Sequence, residues 1–283
     1  MIKLYKTPAG PILEFEEQFY ASTASWDDIL LQDPLYEYLK RMIEASTPMD
    51  PVQALELLDA NHLPPIGSQE LWASGVTYLR SRDARMEESK VAGGGDFYSR
   101  VYDADRPEIF FKSIARRVVG NHSAVRIRKD STWNVPEPEL TLFISPKGNI
   151  QGYTIGNDMS SRSIEGENPL YLPQAKSYEK AAALGPCLLV TEKPISKETE
   201  VSIYIVRAGK TMFEGTIQLT QMKRSLEDLA SWLYRECDFP EGVFLMTGTG
   251  IVPPDDFTLQ VGDKVQIAIQ GIGVLENVVE MKS

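Results

Sequence analysis

Pro136-Glu137-Pro138-Glu139-Leu140-Thr141-Leu142-Phe143-Ile144 opens with two glutamates and runs on without a polar break of any length. An extended segment places alternate side chains on one face, so Glu137 and Glu139 point the same way, and Pro138 between them stiffens the backbone. A Glu-x-Glu pair in an exposed strand ordinarily lies on a solvated face. Here the apolar continuation, Leu140 to Ile144, marks the beginning of a buried strand instead. Nineteen residues after Glu139, Gly156-Asn157-Asp158 ends a second apolar run and supplies a third carboxylate. Three hard oxygen ligands at strand ends suit Mg²⁺ or Mn²⁺, which keep open positions for substrate oxygens. Glu137, Glu139 and Asp158 are therefore the expected metal ligands.

Outward from that strand the β pattern dominates. Val125 to Arg128, Ile150 to Ile155, Leu188 to Val190, and Val201 to Val206 with Thr211 to Leu219 across Ala208-Gly209-Lys210 read as strands. Val261-Gly262-Asp263-Lys264 reads as a turn into the alternating Val265, Ile267 and Ile269. One helix interrupts, capped by Ser225 and carrying Leu226, Leu229, Trp232 and Leu233 on one face. The N-terminal part differs: a hairpin turning at Pro8-Ala9-Gly10-Pro11, then a helix with Asp33 as cap and Pro34 in its first turn, then a second helix over Val52 to Leu58. This change of pattern predicts a small N-terminal domain over 1–66 and a β-rich domain over 67–283, an α+β fold with few regular βαβ crossovers.

The 283 residues hold 29 Lys+Arg against 40 Asp+Glu, a net charge of -11. That balance argues against a nucleic-acid surface. Cys187 and Cys237 are too far apart in sequence and context to suggest a disulfide framework and are expected to be reduced core thiols. Met1 to Lys6 lacks an apolar signal core and no apolar run reaches membrane length, so a cytoplasmic location with no membrane partner is expected. Gly93-Gly94-Gly95 reads as a linker or a hinge, and His62 and His122 lack acids at triad or metal spacing and read as structural. Met246-Thr247-Gly248-Thr249-Gly250 lacks the Walker spacing, but its amides and hydroxyls suit a carboxylate or an oxyanion.

Taken together, these segments resemble the fumarylacetoacetate hydrolase superfamily from about Leu71 onward. Gly75-Val76-Thr77-Tyr78 is similar to its Gly-x-Asn-Tyr motif, Phe110-Phe111-Lys112 to its strand ending in lysine, and Glu137-Pro138-Glu139-Leu140 to its metal pair. Gly152 to Asp158 with Ser160-Ser161-Arg162 resembles its Gly-Tyr-x-x-x-Asn-Asp-x-(Ser/Thr)-x-Arg segment, and Lys176 and Thr247-Gly248-Thr249 match further signatures. The resemblance implies a mixed β-roll with a small N-terminal domain, assembled as a homodimer or higher homo-oligomer, with a Mg²⁺ cofactor and a small 2-keto acid substrate. It also implies Lys176 and Glu108 as catalytic residues and Thr77, Tyr78, Lys112 and Thr249 as substrate contacts.

Hydrolases of the superfamily carry a water-activating histidine three residues after that tyrosine, where this chain has Ser81. Arg106 to Lys112 and Glu167 to Lys176 look more like the 2-keto-3-deoxy-D-arabinonate dehydratase branch. The implied reaction is dehydration of a 2-keto-3-deoxy-pentonate to 2,5-dioxopentanoate through a metal-stabilised enolate. Two other readings stay open: a hydrolase or decarboxylase of a diketo acid, and a non-catalytic metal-dependent binding protein, which the presence of Glu108 and Lys176 disfavours.

Overall fold

The computed structural model describes residues 1–60, 63–88 and 95–283. His62, Gly93 and Gly94 lie outside the described residues, while Gly95 opens the helix Gly95–Asp103. The architecture is the expected α+β mixture, built on a ten-stranded sheet and a five-stranded sheet.

At the centre of the large sheet, Pro138–Ile144 pairs antiparallel with Ile150–Asp158 on one side and with Val243–Met246 on the other. Both of its faces are buried. Leu140, Leu142 and Ile144 enter a core shared with the five-stranded sheet, whose Val201, Ile203, Val265 and Ile267 face them, while Phe143 enters a second core. A strand buried on two sides reads as a continuous apolar run, which is why the sequence after Glu139 lacks polar alternation.

The second core explains the N-terminal segment. Ile2–Thr7, Gly10–Phe15 and Gln18–Ala21 form a meander that joins the large sheet by pairing Ile2–Leu4 with Leu188–Val190. Leu35, Leu39 and Ile43 of the helix Leu35–Glu44 then pack with Phe143, Phe244 and Leu184. The division expected at residue 66 thus falls inside a shared sheet and a shared core, and we propose that 1–66 is a lobe that folds with 67–283 as one unit.

Asp33 departs from its expected role as a helix cap. Pro34 stands at the cap position without a side-chain bond, and Gln151 Oε1 accepts from the Leu35 N–H instead. Asp33 Oδ2 accepts from Ser145 Oγ at 2.6 Å and from Asn149 Nδ2 at 2.9 Å, tying the helix to the Ser145–Asn149 turn. The cap elsewhere follows expectation: Ser225 Oγ accepts from the Asp228 N–H at the start of Leu226–Leu233. Cys187 is buried, but Cys237 is exposed and not a core thiol. Among the described residues no helix is long and apolar enough to cross a membrane.

Asp33→Ala removes the acceptor for two bonds that join lobe to sheet, at a cost of about 1–3 kcal/mol. Thermal unfolding should show that loss as a lower Tm with one transition. Two separated transitions would instead show that 1–66 unfolds independently.

Candidate metal centre and active site

Strand register brings the three carboxylates together. Pro138 pairs with Asn157 and Glu139 with Gly156, and the Asp158 N–H donates to the Glu137 carbonyl at 3.0 Å. Asp158 therefore faces Glu137 across the ladder, with Glu139 two residues along the same face. Each residue has an oxygen within 4.8 Å of the others, and all three are buried.

Cations surround this group. Lys176, at the end of the short helix Leu172–Lys176, donates to Glu137 Oε2 at 2.6 Å, Ser160 Oγ at 2.6 Å and Asp158 Oδ2 at 3.1 Å. Arg162 Nη2 holds Glu137 Oε1 at 2.6 Å. Lys112 Nζ lies 2.5 Å from Asp158 Oδ1, and it also donates to the carbonyls of Met159, at 3.0 Å, and Lys176. Lys112 reaches inward because the pairing of Glu108–Ile114 with Glu70–Gly75 slips between Leu71 and Trp72, leaving Lys112 as the extra residue. Such bulges re-aim a side chain. Burial pushes the Lys112 ammonium below its usual value, and the Asp158 carboxylate pulls it back up.

Glu139 is held differently, by the Gly248 N–H at 2.6 Å from Oε2. The glycine-rich loop thus uses one of its amides on the chain's own carboxylate. Gly248 has φ +88°, and a Cβ there would lie 2.1 Å from Thr77 Oγ1, so only glycine fits. Burial, with Asp158 and Glu137 nearby, holds the Glu139 carboxyl well above the ordinary carboxylate range. An all-oxygen donor set with one carboxyl so disfavoured as an anion fits a hard divalent cation.

The carboxylates open onto a small cavity of about 10 Å³ lined also by Gly75, Val76, Ser81, Phe110, Lys176 and Thr249. Lys176 Nζ lies 5.8 Å from the centre of the Phe110 ring. Glu108 is not among the residues that line the cavity, but its carboxylate folds over Gly75, which is: a Cβ on Gly75 would fall 1.9 Å from Glu108 Oε2. Ser81 Oγ turns back to its own turn, donating to the Tyr78 carbonyl at 2.8 Å. Wider clefts exist, such as the one beside Lys193, Ser196 and Gln270. Convergence of buried charge, not volume, distinguishes the smaller cavity.

Of the residues expected to contact substrate, Thr249 lines the cavity, whereas Thr77, Tyr78 and Lys112 stand behind its wall. Thr77 Oγ1 donates to the Thr247 carbonyl at 2.7 Å. Tyr78 is buried in the core, and burial followed by the Glu139 charge raises its phenol. Sequence reasoning assigned no site role to Arg162, Ser160 or Phe110. Arg162 and Ser160 stand inside the quoted Asn-Asp-x-Ser-x-Arg segment, which was the available signal, and Phe110 shares a strand face with Glu108.

The fumarylacetoacetate (FAA) hydrolase C-terminal family model matches residues 87–280, and the chain belongs to that family. A probable 2-keto-3-deoxyxylonate dehydratase of Haloferax volcanii is 47% identical over 221 residues, 78% of this chain and 75% of the relative. A 2-dehydro-3-deoxy-D-arabinonate dehydratase of Saccharolobus solfataricus is 41% identical over 229 residues, 79% of this chain and 76% of the relative. The solved structure of a 2-keto-3-deoxy-D-arabinonate dehydratase complexed with magnesium and 2,5-dioxopentanoate superposes with a TM-score of 0.81 at 32% identity, covering 99% of this chain and 98% of that one.

The raised Glu139 value fixes the sign of a pH effect. Between the ordinary carboxylate range and the raised value, the folded metal-free protein keeps a proton that the unfolded chain has lost, so this group's contribution to stability falls as pH rises through that window. A cation must displace the same proton. Mg²⁺ affinity should therefore tighten with pH across the window, with proton release visible by calorimetry in buffers of different ionisation enthalpy. A pH-independent affinity without proton release would contradict this account.

Proposed function

We propose that the protein is a Mg²⁺-dependent hydro-lyase that converts a 2-keto-3-deoxy-pentonate to 2,5-dioxopentanoate. The observation that carries the reading is the convergence of Glu137, Glu139 and Asp158 with Lys176 in one buried cavity, in a chain whose relatives are named as dehydratases of such acids. Bound at the three carboxylates, the cation would polarise the 2-keto group and stabilise negative charge developing on its oxygen. Mn²⁺ suits the same ligands.

Lys176 is the residue for charge stabilisation. Its ammonium already sits among carboxylates at the cavity floor, within reach of the negative charge that builds when a C3 proton leaves. Glu108 is assigned to proton transfer, between C3 and the departing C4 hydroxyl, from its place over Gly75. Loss of the C3 proton and the C4 hydroxyl as water, followed by tautomerisation, gives the aldehyde at C5 with the carbon skeleton intact. Thr249 is assigned to the substrate carboxylate. Thr77, Tyr78 and Lys112 are read as acting on substrate through the groups they hold or border, which are Thr247, Glu139 and Asp158 respectively.

Ser81 supports elimination over hydrolysis: it lines the cavity and carries no base to activate water. The small 2-keto acid is the expected partner, and the net charge of -11 supports no nucleic-acid role. We read the protein as a cytoplasmic homodimer or higher homo-oligomer, the compartment supported by two free cysteines and the assembly by the family likeness.

Three outcomes test these assignments. Candidate 2-keto-3-deoxy-pentonates incubated with Mg²⁺ should give a five-carbon product one water lighter, with deuterium added at carbon when the solvent is heavy water, seen by mass spectrometry. Turnover confined to diketo acids, with a short acid released, would favour the hydrolase. Lys176→Met should lower kcat by roughly a hundredfold or more, and near-wild-type turnover would remove the lysine from its role. Gly75→Ala should displace Glu108 and lower kcat while Mg²⁺ affinity holds, whereas full activity would place proton transfer elsewhere.

A further inference from the structure

Asn277 is a buried amide in an apolar register. On the strand Gly273–Met281 it stands between Leu275 and Val279, all three facing the core. Its Nδ2 donates to the carbonyls of Gly120 at 3.1 Å and Ser123 at 3.0 Å. Those two acceptors fix which way the amide points. Oδ1 is thereby turned to the large sheet, where it accepts from Asn157 Nδ2 at 3.4 Å.

Asn157 immediately precedes Asp158 on Ile150–Asp158. Successive side chains of a strand point to opposite faces, so Asn157 anchors the back of the strand end whose front presents Asp158. The Asn157 oxygen has no hydrogen-bond partner among the described residues, which leaves Asn277 as the group that orients this amide. The same clamp reaches Asp158 by a second route. The Gly120–Ser123 turn follows Val118–Val119, which pairs with Ala182 and Ala183, and those two residues pair with Asp158 and Asn157. Its far side is tied by the His122 N–H donating to the Glu276 carbonyl at 2.7 Å.

We propose that Asn277 is a positioning residue for the metal centre. It fixes the Asn157 side chain and the adjoining turn, and through them the placement of Asp158, so the five-stranded sheet helps to set the affinity for the cation. The proposal rests on the reading of Asp158 as a metal ligand. A buried amide is an expensive way to fill space between two sheets, since leucine would serve an apolar core without needing partners. Groups that orient metal ligands from behind typically change affinity by ten- to a hundredfold when removed.

The test is Mg²⁺ titration calorimetry on full-length wild type, Asp158→Ala, Asn277→Ala, Asn157→Ala and the double Asn variant, with circular dichroism for folding and kcat measured at saturating Mg²⁺. Each single Asn variant should bind Mg²⁺ about tenfold more weakly, with kcat at saturation near wild type. The double variant should be little weaker than either single one, because the two amides act as one unit. A purely structural role would lower Tm and leave the Mg²⁺ Kd alone, and a wild-type Kd in folded Asn277→Ala overturns the proposal. Should Asn277→Ala not fold, Asn157→Ala decides, since Asn277 there keeps both carbonyl acceptors; a wild-type Kd in that variant is equally fatal. If Asp158→Ala binds Mg²⁺ like wild type, the ligand assignment itself falls and the proposal with it. If Asp158→Ala loses binding while both Asn variants keep it, the positioning role alone fails.

Discussion

Three carboxylates held on one buried face repel one another, and the rest of the fold is organised around that cost. Their oxygens lie within 4.8 Å of one another, and part of the cost is relieved by Glu139 holding its proton, its carboxyl pushed up by burial and by Asp158 and Glu137. Lys176, Arg162 and Lys112 offset it at ion-pair distance, and each comes from a different part of the chain. The arrangement therefore exists only in the folded molecule. A buried charge pair contributes little net stability, and breaking one is expensive because the survivor is left without compensation. These residues are better understood as setting a geometry than as stabilising a fold.

That geometry needs both sheets and the N-terminal lobe. Pro138–Ile144 is covered on one face by the five-stranded sheet and on the other by Leu35, Leu39 and their neighbours. Removing either layer would wet the carboxylates, raise the local dielectric and weaken every ion pair among them. Among the described residues the N-terminal segment places none in the cavity, yet through its core it is part of the enclosure.

The sequence made some of this legible and hid the rest, for identifiable reasons. Period-two spacing placed Glu137 and Glu139 on one face, and the apolar continuation placed them at a buried strand end; both are local properties. The third carboxylate was legible at the end of a second apolar run, in Gly156-Asn157-Asp158, but the register that sets Asp158 against Glu137 is a tertiary property. Asp33 was misread because proline beside an acid resembles a helix start, while the carboxylate is in fact used by Ser145 and Asn149, over a hundred residues away. Lys112 could be seen as important but not as buried, because a bulge in the pairing with Glu70–Gly75 has no signature in Phe110-Phe111-Lys112 itself. Gly248 stands in a loop whose local chemistry suits a carboxylate or an oxyanion; only tertiary structure shows that the carboxylate is the chain's own Glu139.

Ser81 joins the electrostatics to the chemistry. Its hydroxyl satisfies itself within the Tyr78–Ser81 turn, so it neither titrates near neutrality nor orients a water molecule for attack. A cavity with a cation site and a lysine, but no base at that wall, can withdraw charge from a 2-keto acid without delivering a nucleophile to it. Under those conditions the bond that breaks is the one whose electrons the carbanion can expel, the C4 hydroxyl, and the carbon skeleton survives. The family fold supplies the cation site in either case; the residue at position 81 bears on whether negative charge built beside it ends in elimination or in cleavage.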